Sequence, residues 1–539
     1  MLLGSSKSVT IFVILAVLRL NFAFKLNDKL TYVWPLPSEI SSGDHILSID
    51  PGLSLVVGGE GGNSSIIEDA FERYKRILFK DGESFSIFQA FRFKRSAYDI
   101  NELKIVVHSP NEELQLGVDE SYTLLVDGGD GESIIAEATI EANTVYGALR
   151  GLETFSQLCT FDYGNKSVQI YKAPWYIRDR PRFSYRGLLL DTSRHYLPVD
   201  VIKQIIESMS YAKLNVLHWH IIDEESFPLE IPSYPKLWEG SYTKWERYTV
   251  EGAYEIVNFA KMRGINVLAE IDVPGHAESW GAGYPDLWPS VSCKEPLDVT
   301  KNFTFDVISG ILSDMRKIFP FELFHLGGDE VNTDCWLFTS HIKQWIRDRN
   351  FTTKDAYEYF VLKAQEIAIS KGWTPVNWEE TFNAFASKLH PKTVVHNWLG
   401  GGVCAKAVAK GFRCIFSNQE FWYLDHLDVP WDEVYEAEPL EGINITSQQD
   451  LVLGGEVCMW GETADASDIQ QTIWPRAAAA AERLWSRRED ISSGNISLTA
   501  LPRFHYFRCL LNRRGVQAAP VTNFFAREPP LGPGSCYVQ

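Results

Sequence analysis

An acidic pair, Asp329-Glu330, closes the stretch His325-Leu326-Gly327-Gly328-Asp329-Glu330. Neighbouring side chains of an extended strand point to opposite faces, so adjacent carboxylates meet one substrate only if the backbone turns. Gly327 and Gly328 allow that turn, because glycine adopts backbone conformations closed to other residues. Two carboxyl groups brought to one side of a substrate suit acid chemistry at an acetal. One protonates the leaving oxygen and the other steadies the charge that develops. Cleavage of a glycosidic bond usually takes a carboxylic acid plus a second carboxylate acting as nucleophile or base. With both members of this pair on one side, the nucleophile is unaccounted for, and a 2-acetamido group on the substrate can supply it through its carbonyl oxygen. The alternative for any Asp-Glu pair is a solvated surface turn, the usual setting of charged residues.

The elements that must position this pair are legible as alternation. Short apolar runs at Tyr185–Leu190, Asn215–Ile222, Ile265–Ile271, Leu323–Gly327, Pro375–Trp378, Thr393–Trp398, Phe412–Phe416 and Leu451–Gly455 read as strands. Amphipathic stretches such as Val201–Ala212, Thr249–Arg263, Phe305–Ile318 and Asp355–Lys371 lie between them and read as helices. Strand–helix alternation implies parallel strands with right-handed crossovers, and eight such units suggest a (β/α)8 TIM barrel. A doubly wound open sheet is the other possibility, but no glycine-rich phosphate fingerprint follows the first strand. In a barrel, reactive groups sit just past the C-terminal strand ends. Asp191, Asp223, Asp272, His276, Asp329, Glu330, Trp378, Trp398, Tyr423, Asp425, Trp460 and Glu462 all fall there, whereas Arg186 opens the first strand. Carboxylates and indoles together suit sugars, since indoles stack on sugar C–H faces and carboxylates and Arg hold hydroxyls.

Upstream, Ser121–Val126 and Ser133–Ile140 have strand character, and Asn143 is placed to cap a helix from about Thr144 to Leu158. This is a smaller N-terminal α+β domain, bounded at residues 24–178, ahead of a barrel and C-terminal tail at 179–539. Residues 1–23 read as a secretory signal peptide: Lys7, an apolar run from Val9 to Leu18, and Ala23 as a cleavage position. The run is too short to cross a bilayer, and no other apolar stretch reaches the ~20 residues a span needs. Behind a signal peptide, sequons at Asn63, Asn165, Asn302, Asn350, Asn444 and Asn495 are candidate glycan sites.

The chain has 539 residues and a net charge of −19, a bias opposite to the basic footprint nucleic acid requires. A 45% hydrophobic content excludes general disorder. The 17 Trp point to a large core or to flat binding surfaces. No Cys/His spacing resembles a zinc site, and neither a metal nor a cofactor is expected.

The motifs Arg186-Gly187-Leu188-Leu189-Leu190-Asp191-Thr192-Ser193-Arg194-His195, His218-Trp219-His220-Ile221-Ile222-Asp223, Pro274-Gly275-His276, His325 to Val331, Trp422-Tyr423-Leu424-Asp425 and Gly455 to Glu462 occur in one order across most of the chain. In these the sequence resembles a β-N-acetylhexosaminidase of glycoside hydrolase family 20, of the eukaryotic lysosomal or vacuolar type and plant-like. The resemblance implies a substrate-assisted, retaining exo-glycosidase working through an oxazolinium intermediate, a route for which this family is itself a standard illustration. It assigns Glu330 as general acid/base, Asp329 as the group orienting the acetamido N–H, and Tyr423 as donor to the acetamido oxygen. Trp378, Trp398 and Trp460 become walls, Arg186, Glu462 and Asp425 hold sugar hydroxyls, and Asp223 and His276 support the acidic pair. It implies disulfides Cys293–Cys335 and Cys509–Cys536 and a free Cys458, and leaves Cys159, Cys404 and Cys414 open. The implied partner is a glycan ending in β-linked N-acetylglucosamine or N-acetylgalactosamine. The implied assembly is a homodimer, and the implied place the vacuole, lysosome or extracellular space. An inactive sugar-binding protein of the same fold and an endo-acting, chitinase-like enzyme are the rival readings.

Overall fold

The computed structural model describes residues 32–89, 98–128 and 137–522. The signal-peptide reading and Cys536 lie outside these residues. Six strands, β1 (Glu39–Gly58), β2 (Ile100–Val107), β3 (Tyr122–Val126), β4 (Ala138–Ala142), β5 (Cys159–Asp162) and β6 (Ser167–Asp179), form one sheet in the order β1-β2-β4-β3-β6-β5. Strands β3 and β4 alternate buried and less buried residues, the pattern of a sheet with one face on the core. Helices α1 (Ser65–Gln89) and α2 (Val145–Leu158) share that core through residues such as Ile67, Phe71, Leu149 and Phe155. Thr144 caps α2, not Asn143: its backbone is extended and its hydroxyl accepts the Gly147 N–H at 3.2 Å. Either side chain has the chemistry of a cap, and the chain geometry chooses between them. Every residue of α2 is buried, because the helix is enclosed by its own sheet and by the second unit.

That second unit is a closed, all-parallel barrel of β7 (Tyr185–Asp191), β8 (Val216–Ile222), β9 (Asn266–Ile271), β10 (Leu323–His325), β11 (Thr374–Trp378), β12 (Val394–Asn397), β13 (Arg413–Phe416) and β14 (Val452–Met459). Helices α3 (Val199–Tyr211), α4 (Val250–Lys261), α5 (Asn302–Ile318), α6 (Thr353–Ser370), α7 (Glu379–Phe385), α8 (Val403–Ala409), α9 (Trp431–Glu436) and α10 (Arg476–Trp485) follow successive strands. Burial on both faces explains why β7, β8 and β9 read as apolar runs without alternation. Strand β10 stops at His325, two residues before the expected end, since the chain turns at Gly327. Among the described residues no helix is long and apolar enough to cross a membrane.

The barrel interior changes character along its axis. Near the N-terminal strand ends, Tyr185, Val216, Leu268, Leu323, Val376, Val394, Ile415 and Leu453 form an apolar cluster, one residue from each strand. Two residues further along most strands, on the same face, stand His218, Glu270, His325, Trp378, His396 and Ser417, with Glu456 from β14, all buried. Gly187 belongs to this level. A Cβ there would lie 2.6 Å from the Glu456 side chain and 2.8 Å from the Tyr185 ring.

Arg186 is corrected by this geometry. It stands at the N-terminal end of β7, at the far end of the barrel from any strand-end pocket. Its guanidinium is fully buried. There it donates to both carboxylate oxygens of Glu120 at 2.7 Å, to Lys213 O at 2.9 Å and to Phe183 O at 2.8 Å. Glu120 also receives Arg150 of α2 at 2.9 Å, so this cluster pins the two units together. Removing one member of a buried pair leaves the other charge uncompensated. Arg186→Ala should therefore cost about 3–5 kcal/mol of stability. Denaturant unfolding checks the loss, and KM measured on the folded fraction should be unchanged.

Candidate active site

At the opposite end of the barrel the strand ends enclose a cavity of about 200 Å³, lined by Asp329, Glu330, Trp398, Tyr423, Asp425, Trp460, Glu462 and their neighbours. Two larger clefts, of about 550 and 620 Å³, carry none of these residues. Neither larger cleft holds the acidic pair or the strand-end indoles, so chemistry and not size selects the site. A cavity below the roughly 300–1,000 Å³ of drug-sized sites admits a single sugar ring.

The acidic pair is delivered by the turn after β10. Gly327 has φ +59° and Gly328 φ +99°. A side chain at Gly327 would overlap the Asp272 carboxylate, 1.9 Å from a built Cβ. Glu330 itself sits at φ +50°, an uncommon conformation for a residue with a side chain. The result separates the pair. Asp329 is 9% exposed and lines the cavity. The Glu330 side chain is 60% exposed at the rim. Burial and the Asp329 charge push the Asp272 carboxyl well above its ordinary range. Asp272 and Asp329 are hydrogen-bonded to each other.

His276 joins the pair to a deeper network. Its Nε2 lies 3.7 Å from Asp329 Oδ2 and 3.6 Å from Glu330 Oε2, and its Nδ1 donates to Asp223 Oδ1 at 3.0 Å. Burial opposes its charge, but Asp223, Glu330, Asp272 and Asp329 override burial and hold the imidazole protonated. That cation pulls the Glu330 carboxyl below its usual range, against the opposing effect of burial. Asp223 is fully buried and also accepts from His220 Nε2 at 2.7 Å and pairs with Arg194 Nη2 at 2.9 Å. His220 Nδ1 in turn meets Glu270 Oε2 at 2.5 Å. Burial alone would lower His220 and His218; Glu270 with Asp223, and Glu456 with Glu270, push them up to about 10 and about 9.

The walls are aromatic. Trp398 and Tyr423 are nearly parallel, with ring centroids 6.2 Å apart, and Trp460 stands 6.0 Å from Tyr423. The backbone N–H of Trp398 donates to Glu379 at 2.7 Å and its indole N–H to Glu380 at 3.0 Å. Burial and the Asp329 charge push Glu380 up to about 8, so it is largely neutral beside that wall at neutral pH. Burial keeps the Tyr423 phenol protonated, hence a donor. Trp378 differs from expectation. It is 1% exposed and lies beneath the cavity with its indole N–H on Glu270 Oε1 at 3.0 Å, a floor and not a wall.

Arg194 is the residue that sequence reasoning missed. Its guanidinium lines the cavity, pairs with Asp191 at 3.2 Å and Asp223 at 2.9 Å, approaches Glu462 at 3.6 Å, and lies 5.4 Å over the Trp460 ring. The signal was present, since Arg194 follows β7 whereas Arg186 stands at its N-terminal end. Asp425 and Glu462 line the cavity as expected. Burial raises both carboxyls above their usual range, for Glu462 despite Arg194. Clusters such as His218, Glu270 and His325 have the spacing of metal ligands, but their ligand atoms already face one another at 2.8 to 3.0 Å.

Cys293–Cys335 joins the loops after β9 and β10, as expected. Cys404–Cys414 is a second bridge. Cys509 is disulfide-bonded, while Cys159 and Cys458 are free and buried. All six sequon asparagines are exposed.

A family model described as the catalytic domain of glycosyl hydrolase family 20 matches residues 183–488, and one described as beta-acetyl hexosaminidase like matches residues 33–158. The chain belongs to glycosyl hydrolase family 20. It is 74% identical over 514 residues to beta-hexosaminidase 1 of Arabidopsis thaliana, covering 95% of each chain. With beta-hexosaminidase 3 of the same plant it shares 55% identity, covering 94% of each. The chitobiase of Flavobacterium johnsoniae superposes with a TM-score of 0.77 at 29% identity, over 91% of this chain and 73% of that one.

The buried ion pairs carry a pH signature. His218 and His220 hold protons more tightly folded than unfolded, where imidazole titrates near 6.5. Their contribution to stability is complete below about pH 6.5 and is lost as pH climbs through about 9 to about 10. Asp223 and Glu270, held below the carboxylate range by their histidines against the effect of burial, contribute fully above about pH 4 and lose it on acidification. Tm should therefore be highest at roughly pH 5 to 6.5 and fall steadily towards pH 10. Calorimetry showing a flat Tm over that alkaline range would contradict the assigned charges.

Proposed function

We propose that this protein releases terminal, non-reducing β-linked N-acetylglucosamine and N-acetylgalactosamine from glycans or chitooligosaccharides, with retention and assistance from the substrate's own acetamido group. The observation that carries the reading is the buried Asp329 carboxylate beside the exposed carboxyl of Glu330 in a cavity of one-ring size. In this reading Asp329 accepts the acetamido N–H, and Tyr423 donates to the acetamido oxygen. That oxygen attacks the anomeric carbon while Glu330 protonates the departing glycosidic oxygen. Asp329 steadies the positive oxazolinium, and Glu330 then takes a proton from the water that opens it. Fixed donors and charges of this kind favour the transition state because they need no reorganisation as charge develops. Arg194, Asp425 and Glu462 hold the outer hydroxyls, Trp398 and Trp460 enclose ring and acetyl group, and Trp378 supports them from below. The rival readings are not favoured: the pocket fits one ring, not an open groove, and its acids and phenol are complete.

The depressed Glu330 carboxyl makes the acid form scarce at neutral pH and favours turnover in an acidic lumen. The six exposed sequons and the likeness to plant hexosaminidases support passage through the secretory pathway to a vacuole, lysosome or the extracellular space. Glycosylation at the six sequons, removal of residues 1–23, a domain boundary near 178, the Cys509–Cys536 bridge and a homodimer complete the proposal.

Glu330→Gln should fold normally and lose roughly 10²–10⁴-fold in kcat on chitobiose, with a much smaller loss on a dinitrophenyl glycoside that needs no protonation. Near-wild-type chitobiose hydrolysis would remove Glu330 from the acid role. Removal of the acetamido group tests the nucleophile: a plain β-glucoside should be almost inert, and rates comparable to those on the N-acetylglucosaminide would rule out substrate assistance. Replacing His276 by Gln takes away the cation that holds Glu330 down. The basic limb of the kcat profile should then move to higher pH, and a pH–rate series reads the shift directly.

A further inference from the structure

Glu270 is buried near the C-terminal end of β9, and its two oxygens serve two parts of the site. Oε2 meets His220 Nδ1 at 2.5 Å and lies 3.0 Å from His218 Nε2. Oε1 meets the Trp378 indole N–H at 3.0 Å and lies 2.8 Å from His325 Nδ1. From Oε2 a continuous alternation of imidazole and carboxylate runs outward. His220 donates to Asp223 at 2.7 Å, His276 donates to Asp223 at 3.0 Å, and His276 Nε2 stands 3.6 Å from Glu330. From Oε1 the indole of Trp378 leads to the aromatic floor, which packs with Tyr423 and contacts Trp398 and Trp460.

We infer that Glu270 is a positioning residue for the reaction. It orients the acid Glu330 through His220, Asp223 and His276, and it orients the acetamido pocket through Trp378. The inference rests on the roles proposed above for Glu330 and the aromatic walls. Each link is directional. An imidazole whose two nitrogens face two carboxylates is fixed in ring plane and in protonation. His220 is so fixed between Glu270 and Asp223, and Asp223 is thereby left with one oxygen for His276. A neutral amide at position 270 offers a single acceptor oxygen and two N–H donors where the His220 and Trp378 N–H groups each need an acceptor. One of the two arms must then slacken. The titratable groups facing Glu270 are His218 and His220 from β8, both pushed up, and His325 from β10, which burial pushes down.

The test separates this role from a purely structural one by leaving-group dependence. Full-length Glu270→Gln, with its fold checked by circular dichroism and Tm, is assayed on chitobiose and on the dinitrophenyl glycoside. Its loss in kcat on chitobiose should exceed the loss on the activated substrate by roughly tenfold or more, the signature of a misplaced general acid. His220→Gln should show the same selectivity, and Glu270→Gln/His220→Gln should cost little more than the worse single change, because coupled residues are not additive. Trp378→Phe, which cuts only the other arm, should lower both substrates equally. Equal losses on both substrates in the Glu270 and His220 variants, or additive costs in the double variant, would overturn the inference. If Glu270→Gln does not fold, the selectivity of His220→Gln decides alone. Glu330→Gln run alongside distinguishes the two levels. If it lacks selectivity, the assignment of the acid fails; if it is selective and the deeper variants are not, only the role of Glu270 fails.

Discussion

A carboxylate in the dry interior of a barrel must be met by cations or neutralised, and Glu270 is such a group. Burial disfavours its charge, yet His325, His220 and His218 hold it well below the carboxylate range. The energetic logic is mutual. Each imidazolium is tolerated because a carboxylate faces it, and each carboxylate because imidazolium or indole N–H groups converge on it. This constraint explains why the barrel narrows to Gly187 where Glu456 and Tyr185 need the room. It also explains why the level above the apolar plug is polar on several strands.

The two ends of the barrel use the same chemistry for different purposes. At the N-terminal end, Glu120 collects Arg186, Arg150 and Asn215 and locks the smaller unit onto the barrel. At the C-terminal end, Asp223 collects His220, His276 and Arg194 and passes their orientation to the pair that faces the cavity. Both acids are fully enclosed by donors. Asp329 is not: it lines the cavity, 9% exposed. A carboxylate already largely removed from water has little desolvation left to lose when a ligand donor arrives, so it is placed for a ligand in a way that Glu120 and Asp223 are not.

The barrel was legible because parallel strands buried on both faces leave continuous apolar runs, and eight of them alternate with helical stretches. The acidic pair was legible because Gly327-Gly328 before Asp329-Glu330 has few other uses. Arg186 was misplaced for a physical reason. The motif that carries it also carries Arg194, and one strand length separates the two ends of the barrel. Strand direction alone distinguishes them, and a residue that opens a strand cannot reach its C-terminal pocket. Trp378 ends its strand as expected, but whether an indole lines a cavity or underlies it depends on what stands on the neighbouring strands. Glu270 left a trace, an acid within Asn266–Ile271, but its partners come from β8, β10 and β11.

The amino-acid sequence by itself determined the barrel, the strand ends at which chemistry could occur, the acidic pair with its glycine turn, and the family. These are local or periodic properties, set by neighbours along the chain. The tertiary structure decided which Arg lines the cavity, which Trp is wall and which is floor, which of two candidates caps α2, that Cys404 and Cys414 join, and that one buried carboxylate contacts groups on both sides of the site. Closing a sheet into a barrel places residues from distant strands within hydrogen-bond reach. The pairings that follow depend on register and direction in three dimensions, which no spacing along the chain encodes.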